Sequence, residues 1–101
     1  MQTDRMRELI TDVCASVRDT LLAKNRDYGG SAFESPILAP DIDAGAGIRV
    51  RASDKVARLH RLYAGNTAEV AESIEDTERD LIGYLVLQIV KRRLDAGGEG
   101  A

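Results

Sequence analysis

Three carboxylates recur at four-residue intervals, Glu72, Asp76 and Asp80, a spacing that lines one face of a helix. Followed onward, that face reaches Gly83 or Tyr84 and then Leu87, residue types that do not seek water. An acidic row that runs into an apolar row points toward an interior. Buried carboxylates are costly unless a cation or a metal answers them, so the chain must supply a positive partner. Lys55 is the candidate. It falls three after Ala52 and four before Leu59, inside an apolar stripe, where a lysine either reaches out past its neighbours or meets an anion. Arg58 lies on the edge of the same stripe and is a second candidate for pairing with the acids or for holding phosphate. Arg51 and Arg61 read as a solvated basic edge. His60 reads as outward-facing, with no partner spacing to support a general base.

Three helices must position these groups. The first is expected over Asp4–Ala23, with Met6, Leu9, Ile10, Val13, Cys14, Val17, Leu21 and Leu22 as one apolar stripe. It acts as scaffold and leads into Lys24-Asn25-Arg26-Asp27-Tyr28-Gly29-Gly30, where the glycines stop it and leave Lys24, Asp27 and Tyr28 at the end of a rigid element. From Ser31 to Gly47 the spacing predicts a long connection, with Phe33, Ile37 and Leu38 available to pin it to the core or to another subunit. Its Gly-rich end lacks the Lys-Ser/Thr of a Walker loop. The second helix is expected over Ile48–Tyr63. The third is expected to start at Ser73 as N-cap, with Asp76 returning a shortened capping box and Glu75 and Glu78 in the first turns, and to end near Leu94. Between Leu81 and Val90 its residues are apolar on nearly every side. Three helices rarely surround one of their own number, so a homo-oligomer with the third helix central is expected.

Composition limits the alternatives. With 101 residues the chain makes one domain, expected to cover residues 1–96 with a fraying tail after it. It is 44% apolar but 4% aromatic, which suits aliphatic helix packing and an all-α fold. The net charge of −3 lacks the basic excess of a duplex nucleic-acid binder. The lone Cys14 reads as a small core residue in a reducing compartment. No apolar run reaches membrane-spanning length, and a cytoplasmic protein is expected.

Carboxylates on one helix and cations on another are the materials for a Mg²⁺–phosphate complex, since Mg²⁺ takes hard oxygens and keeps waters and phosphate oxygens around it. The same inventory also makes a buried ion-pair network without ligand, and spacing does not choose between them. The run Gly47-Ile48-Arg49-Val50-Arg51-Ala52-Ser53-Asp54-Lys55-Val56-Ala57-Arg58-Leu59, then Glu72-Ser73-Ile74-Glu75-Asp76-Thr77, then Asp80-Leu81-Ile82-Gly83-Tyr84 resembles the nucleotide modification associated domain 1 family. Lys24-Asn25-Arg26-Asp27-Tyr28-Gly29 fits that family's Lys-x-x-Asp-Tyr-Gly pattern. These small proteins of phages and bacteria are similar to the all-α nucleotide pyrophosphatases of the MazG and dimeric dUTPase type. The resemblance implies a helical nucleotide-binding fold, assembled as dimers or larger, with Mg²⁺ between acidic helices and the phosphates. In the pyrophosphatase branch, water attacks a phosphate and releases pyrophosphate and a nucleoside monophosphate. Carried over by motif, Glu72, Asp76 and Asp80 are metal ligands or their supports. Lys55 and Arg58 are phosphate contacts, while Lys24, Asp27, Tyr28, Arg49 and Tyr84 belong to the substrate pocket.

The chain departs from the MazG pattern, which sets Glu-Glu-x-x-Glu on one helix and Glu-x-x-Asp on the next. Here one helix is acidic and the second is basic. A chain that keeps the pocket with fewer carboxylates binds a nucleotide and releases it unchanged. The expected function is that of a Mg²⁺-dependent (deoxy)nucleotide pyrophosphohydrolase-like protein that acts on or binds nucleotides, with enzyme status open. The alternatives are a protein that sequesters or senses a nucleotide (a cyclic signalling nucleotide included) and a purely structural oligomer.

Overall fold

The computed structural model describes residues 2–28, 30–65 and 68–97, excluding the side chains of residues 27, 28 and 68–70. Within them the fold is all-α: α1 spans Gln2–Tyr28, a 3₁₀ turn covers Ser31–Phe33, α2 spans Ala44–Leu62 and α3 spans Ala68–Gly97. Of the tail expected after residue 96, Gly97 still belongs to α3, and residues 98–101 lie outside the described residues. Among the described residues no helix is long and apolar enough to cross a membrane.

Each helix is longer than its apolar stripe indicates. α2 begins at Ala44, four residues before the expected Ile48, because Asp43 caps it. Asp43 has extended backbone, its carboxylate accepts the Ala46 N–H at 2.8 Å, and its carbonyl takes the first helical bond, from the Gly47 N–H at 3.0 Å. Replacing Asp43 with Ala removes that cap and is expected to cost about 1 kcal/mol, read as a lowered urea midpoint at unchanged slope. Gly47 is needed for closeness. A Cβ there would meet Pro36 Cγ at 3.3 Å, and Pro36 opens a turn closed by the Ala39 N–H on the Pro36 carbonyl at 3.1 Å. Ile37 and Leu38, at the tip of this turn, are 93% and 98% exposed, so neither pins the connection to the core.

The expected start of the third helix is wrong. α3 begins at Ala68, so Ser73 is no N-cap and Glu75, Asp76 and Glu78 lie beyond the first turn. Ala68-Glu69-Val70-Ala71 includes the strong helix formers Ala and Glu, which carry the helix upstream of Ser73. The Ser73 carbonyl accepts the Thr77 hydroxyl at 2.7 Å.

α2 runs antiparallel to α3 and packs against it along much of its length. Lys55 meets Asp80, Arg58 meets Thr77, and Gln88 lies beside Gly45. With its amide oriented by its partners, Gln88 donates to the Gly45 carbonyl at 3.1 Å and accepts from Arg49 Nη1 at 3.3 Å. α1 runs alongside α3 in the same direction and touches it over its second half only: Ser16 accepts from Arg79, and Leu21 Cδ2 lies 3.2 Å from where a Gly83 side chain would begin. Gly83 is thus the place where the two helices approach closely.

The core is small. Val17, Ala44, Ile48 and Leu59 are the buried apolar side chains among the described residues. Cys14 is exposed, contrary to its expected core position, because the first half of α1 packs against no other element. Of the expected α1 stripe, Met6, Leu9, Ile10, Val13 and Leu22 are exposed. The all-round burial expected for residues 81–90 is also absent from the single chain: Ile82, Leu85, Val86, Ile89 and Val90 face outward.

Candidate functional site

The second half of α1, the 3₁₀ turn and the middle of α3 enclose a cleft of about 360 Å³, with α2 contributing Arg51. Val17 and Leu21 of α1 and Leu87 of α3 give it an apolar floor, while Phe33 and Tyr84 supply aromatic faces. Three cations line it, Lys24, Arg51 and Arg79, together with two carboxylates, Asp76 and Asp80. Ligand sites are commonly built in this way, an apolar cavity of roughly 300–1,000 Å³ with a few convergent polar groups.

The charge balance of the cleft differs from that of the chain. Asp80 is partly answered from outside the cleft, since its Oδ2 lies 3.1 Å from Lys55 Nζ. Lys55 therefore does meet an anion, as its place in the apolar stripe requires, but it does so as a partner to Asp80 and does not line the cleft. Arg79 is held by the Ser16 hydroxyl at the α1–α3 contact. Within a chain of net charge −3, the cleft is thus locally positive.

Other expected site residues lie elsewhere. Arg58 donates from Nε to Thr77 Oγ1 at 3.3 Å and meets neither an acid nor the cleft. That bond, with the one to Ser73, satisfies a hydroxyl on a residue only 3% exposed. Arg49 is engaged with Gln88. His60 is exposed, as its spacing suggests. Glu72 is exposed and does not line the cleft. Its Cα is eight residues from that of Asp80, about 12 Å along the axis at 1.5 Å per residue. The side chains of Asp27 and Tyr28 lie outside the described residues. Tyr63, near the α2–α3 connection, donates its hydroxyl to Glu78 Oε2 at 2.9 Å, and this hydrogen bond raises the tyrosine pKa above its ordinary value.

Two cations of the cleft, Arg51 and Arg79, are not among the expected site residues. Arg51 reads in the sequence as part of a solvated edge, although it lies one turn before Lys55 on the same side of α2. Arg79 is masked by the acids around it in sequence, yet it falls three after Asp76 and four before Gly83, on the stripe that faces α1.

The acids of the cleft suit some metal chemistry and not other kinds. Among the described residues no three His, Cys, Asp or Glu side chains gather closely enough to hold a metal by themselves. Asp76 and Asp80, one turn apart on the cleft wall, match the need of a Mg²⁺ ion that arrives with phosphate, which takes one or two carboxylates and fills its shell with phosphate oxygens and water. They do not match a site for several metals.

The class defined so far is a small all-α chain with an amphipathic, locally cationic cleft. The chain matches no protein-family model, no curated protein and no solved structure. The motif resemblance therefore rests on the residues quoted for it alone.

Proposed function

We propose that this chain is a nucleotide-binding protein that works as a homo-oligomer and takes a nucleoside phosphate together with Mg²⁺ in the α1–α3 cleft. The observation that carries this reading is the sharing of one cavity by Lys24, Arg51, Arg79, Asp76, Asp80, Phe33 and Tyr84. Guanidinium and ammonium groups take phosphate oxygens through charge-assisted hydrogen bonds. Asp76 and Asp80 hold the ion that accompanies those phosphates, and its role when bound is to neutralise phosphate charge. Phe33 and Tyr84 offer the flat apolar faces that a base requires.

Hydrolysis is the second reading, favoured by the placement of both carboxylates in the cleft. A bound Mg²⁺ would then also polarise the phosphate and an attacking water. One experiment separates the two. Nucleoside triphosphates, deoxynucleoside triphosphates and cyclic nucleotides are tested for thermal stabilisation with and without Mg²⁺, and the products of every hit are analysed. A ligand bound at 100 times its Kd stabilises by about 2.7 kcal/mol, a shift that is easily read. Mg²⁺-enhanced stabilisation with the nucleotide recovered intact is the expected result. Conversion to the monophosphate would establish the enzyme instead. No shift with any nucleotide at saturation would remove the reading altogether.

A further inference from the structure

The single chain is more extended than its length requires. Its radius of gyration is 16.0 Å, against about 13 Å for a compact domain of this length. Its accessible surface is 7733 Å², where a folded monomer of 11.0 kDa is expected to expose about 5,600 Å². The excess, about 2,100 Å², is of the size that each copy of a stable homodimer covers, given obligate interfaces of roughly 2,000–5,000 Å² in total.

The excess surface includes two apolar strips. One is the first half of α1, where Met6, Ile10 and Val13 continue the stripe that Val17 and Leu21 use against α3, but with nothing covering them. The other is the outer face of α3, where Ile82, Leu85 and Ile89 recur three and four apart, turned away from the face that holds the cleft. Met6 to Val13 and Ile82 to Ile89 each advance seven residues, about 10 Å of helix, so the strips match in length. Both are aliphatic, and a core with four buried apolar side chains among the described residues is thin support for an independent domain.

We infer that two copies of this chain form a twofold dimer in which the first half of α1 of each copy covers the outer face of α3 of the other. The pairing is isologous, each strip being donor and acceptor of the same contact. It rests on the homo-oligomer of the proposed function and locates its interface; because it uses none of the cleft residues, its failure is distinguishable from a failure of nucleotide binding.

Light scattering after size-exclusion chromatography tests it with two variants. Ile10 and Leu85 are 60% and 52% exposed in the single chain, so a charge at either site spares the protomer's own packing. Ile10→Glu and Leu85→Lys are each expected to reduce the mass from twice 11.0 kDa to 11.0 kDa. Mixed together, the two variants are expected to regain the doubled mass, because one of the two contacts then pairs Glu with Lys and the other remains native. Circular dichroism follows the same samples, and if either variant loses helicity alone, the mixture should recover it. A wild-type chain that stays monomeric at high micromolar concentration would overturn the dimer, whether the strips then bind lipid vesicles or nothing. Separate variants that dissociate and a mixture that does not reassociate would overturn the reciprocal pairing.

Discussion

The Arg51→Glu variant is expected to bind a Mg²⁺–nucleotide roughly 100-fold more weakly than the wild type while melting at the same temperature. Arg51 is exposed, lines the cleft and makes no hydrogen bond or ion pair with the described residues, so the fold does not depend on it. A hydrogen bond to a charged group contributes about 1.5–3 kcal/mol, and each 1.4 kcal/mol is about a tenfold change in affinity. Reversing the charge adds repulsion from phosphate to the lost contact. Titration calorimetry reads the affinity, and Arg61→Glu is the control, since Arg61 is also an exposed arginine of α2 but does not line the cleft. If the two variants bind equally well, phosphate does not lie against Arg51 and the cleft is not the nucleotide site. Arg79→Glu would be a poorer test, because Arg79 also ties α1 to α3 through Ser16.

That contrast shows where the sequence could be read and where it could not. The number and order of the helices follow from the apolar stripes, which repeat at helical spacing regardless of tertiary context. The ends do not, because they are decided by single hydrogen bonds and local propensity. Asp43 capping Ala46 moves the start of α2 back through a Gly-rich run that looks like loop, and good helix formers extend α3 upstream past the plausible cap at Ser73. The acid row was legible in part. Asp76 and Asp80 reach one cleft, whereas Glu72 lies a turn too far along the helix.

Cations were harder to place. Lys55 stands out because a lysine inside an apolar stripe either reaches out to solvent or meets an anion, and here the anion is Asp80. Arg51 sits at the stripe's edge, where solvent and a cleft look alike until a neighbouring helix is positioned. Arg79 carries its sign in the sequence: it shares a face with Gly83, and a glycine in an apolar helix marks close approach of another element. Cys14 and residues 81–90 show a different difficulty. Periodicity says which face is apolar, but not whether the same chain covers it, and the exposed strips of α1 and α3 are the faces this chain leaves open.

The largest loss of stability from one side chain is expected at Ile48. It is 1% exposed and, among the described residues, is the largest side chain that is fully buried, set in the first half of α2 within the small core. Ile48→Ala deletes buried carbon atoms and leaves a cavity, for a cost of about 2–5 kcal/mol. In a domain of this size each 1 kcal/mol lowers the melting temperature by roughly 4–8 °C, so a drop of more than about 10 °C is expected. Ile37→Ala is the matched control: the same atoms are removed from a residue 93% exposed, and the change should stay within about 0.5 kcal/mol. Scanning calorimetry at a fixed protein concentration compares the two, because melting of an associating chain depends on concentration. A similar small loss in both variants would mean that α2 is not the centre of the core. A large loss at Ile37 would show that the exposed Pro36–Ala39 turn is covered in solution by a surface the single chain does not provide.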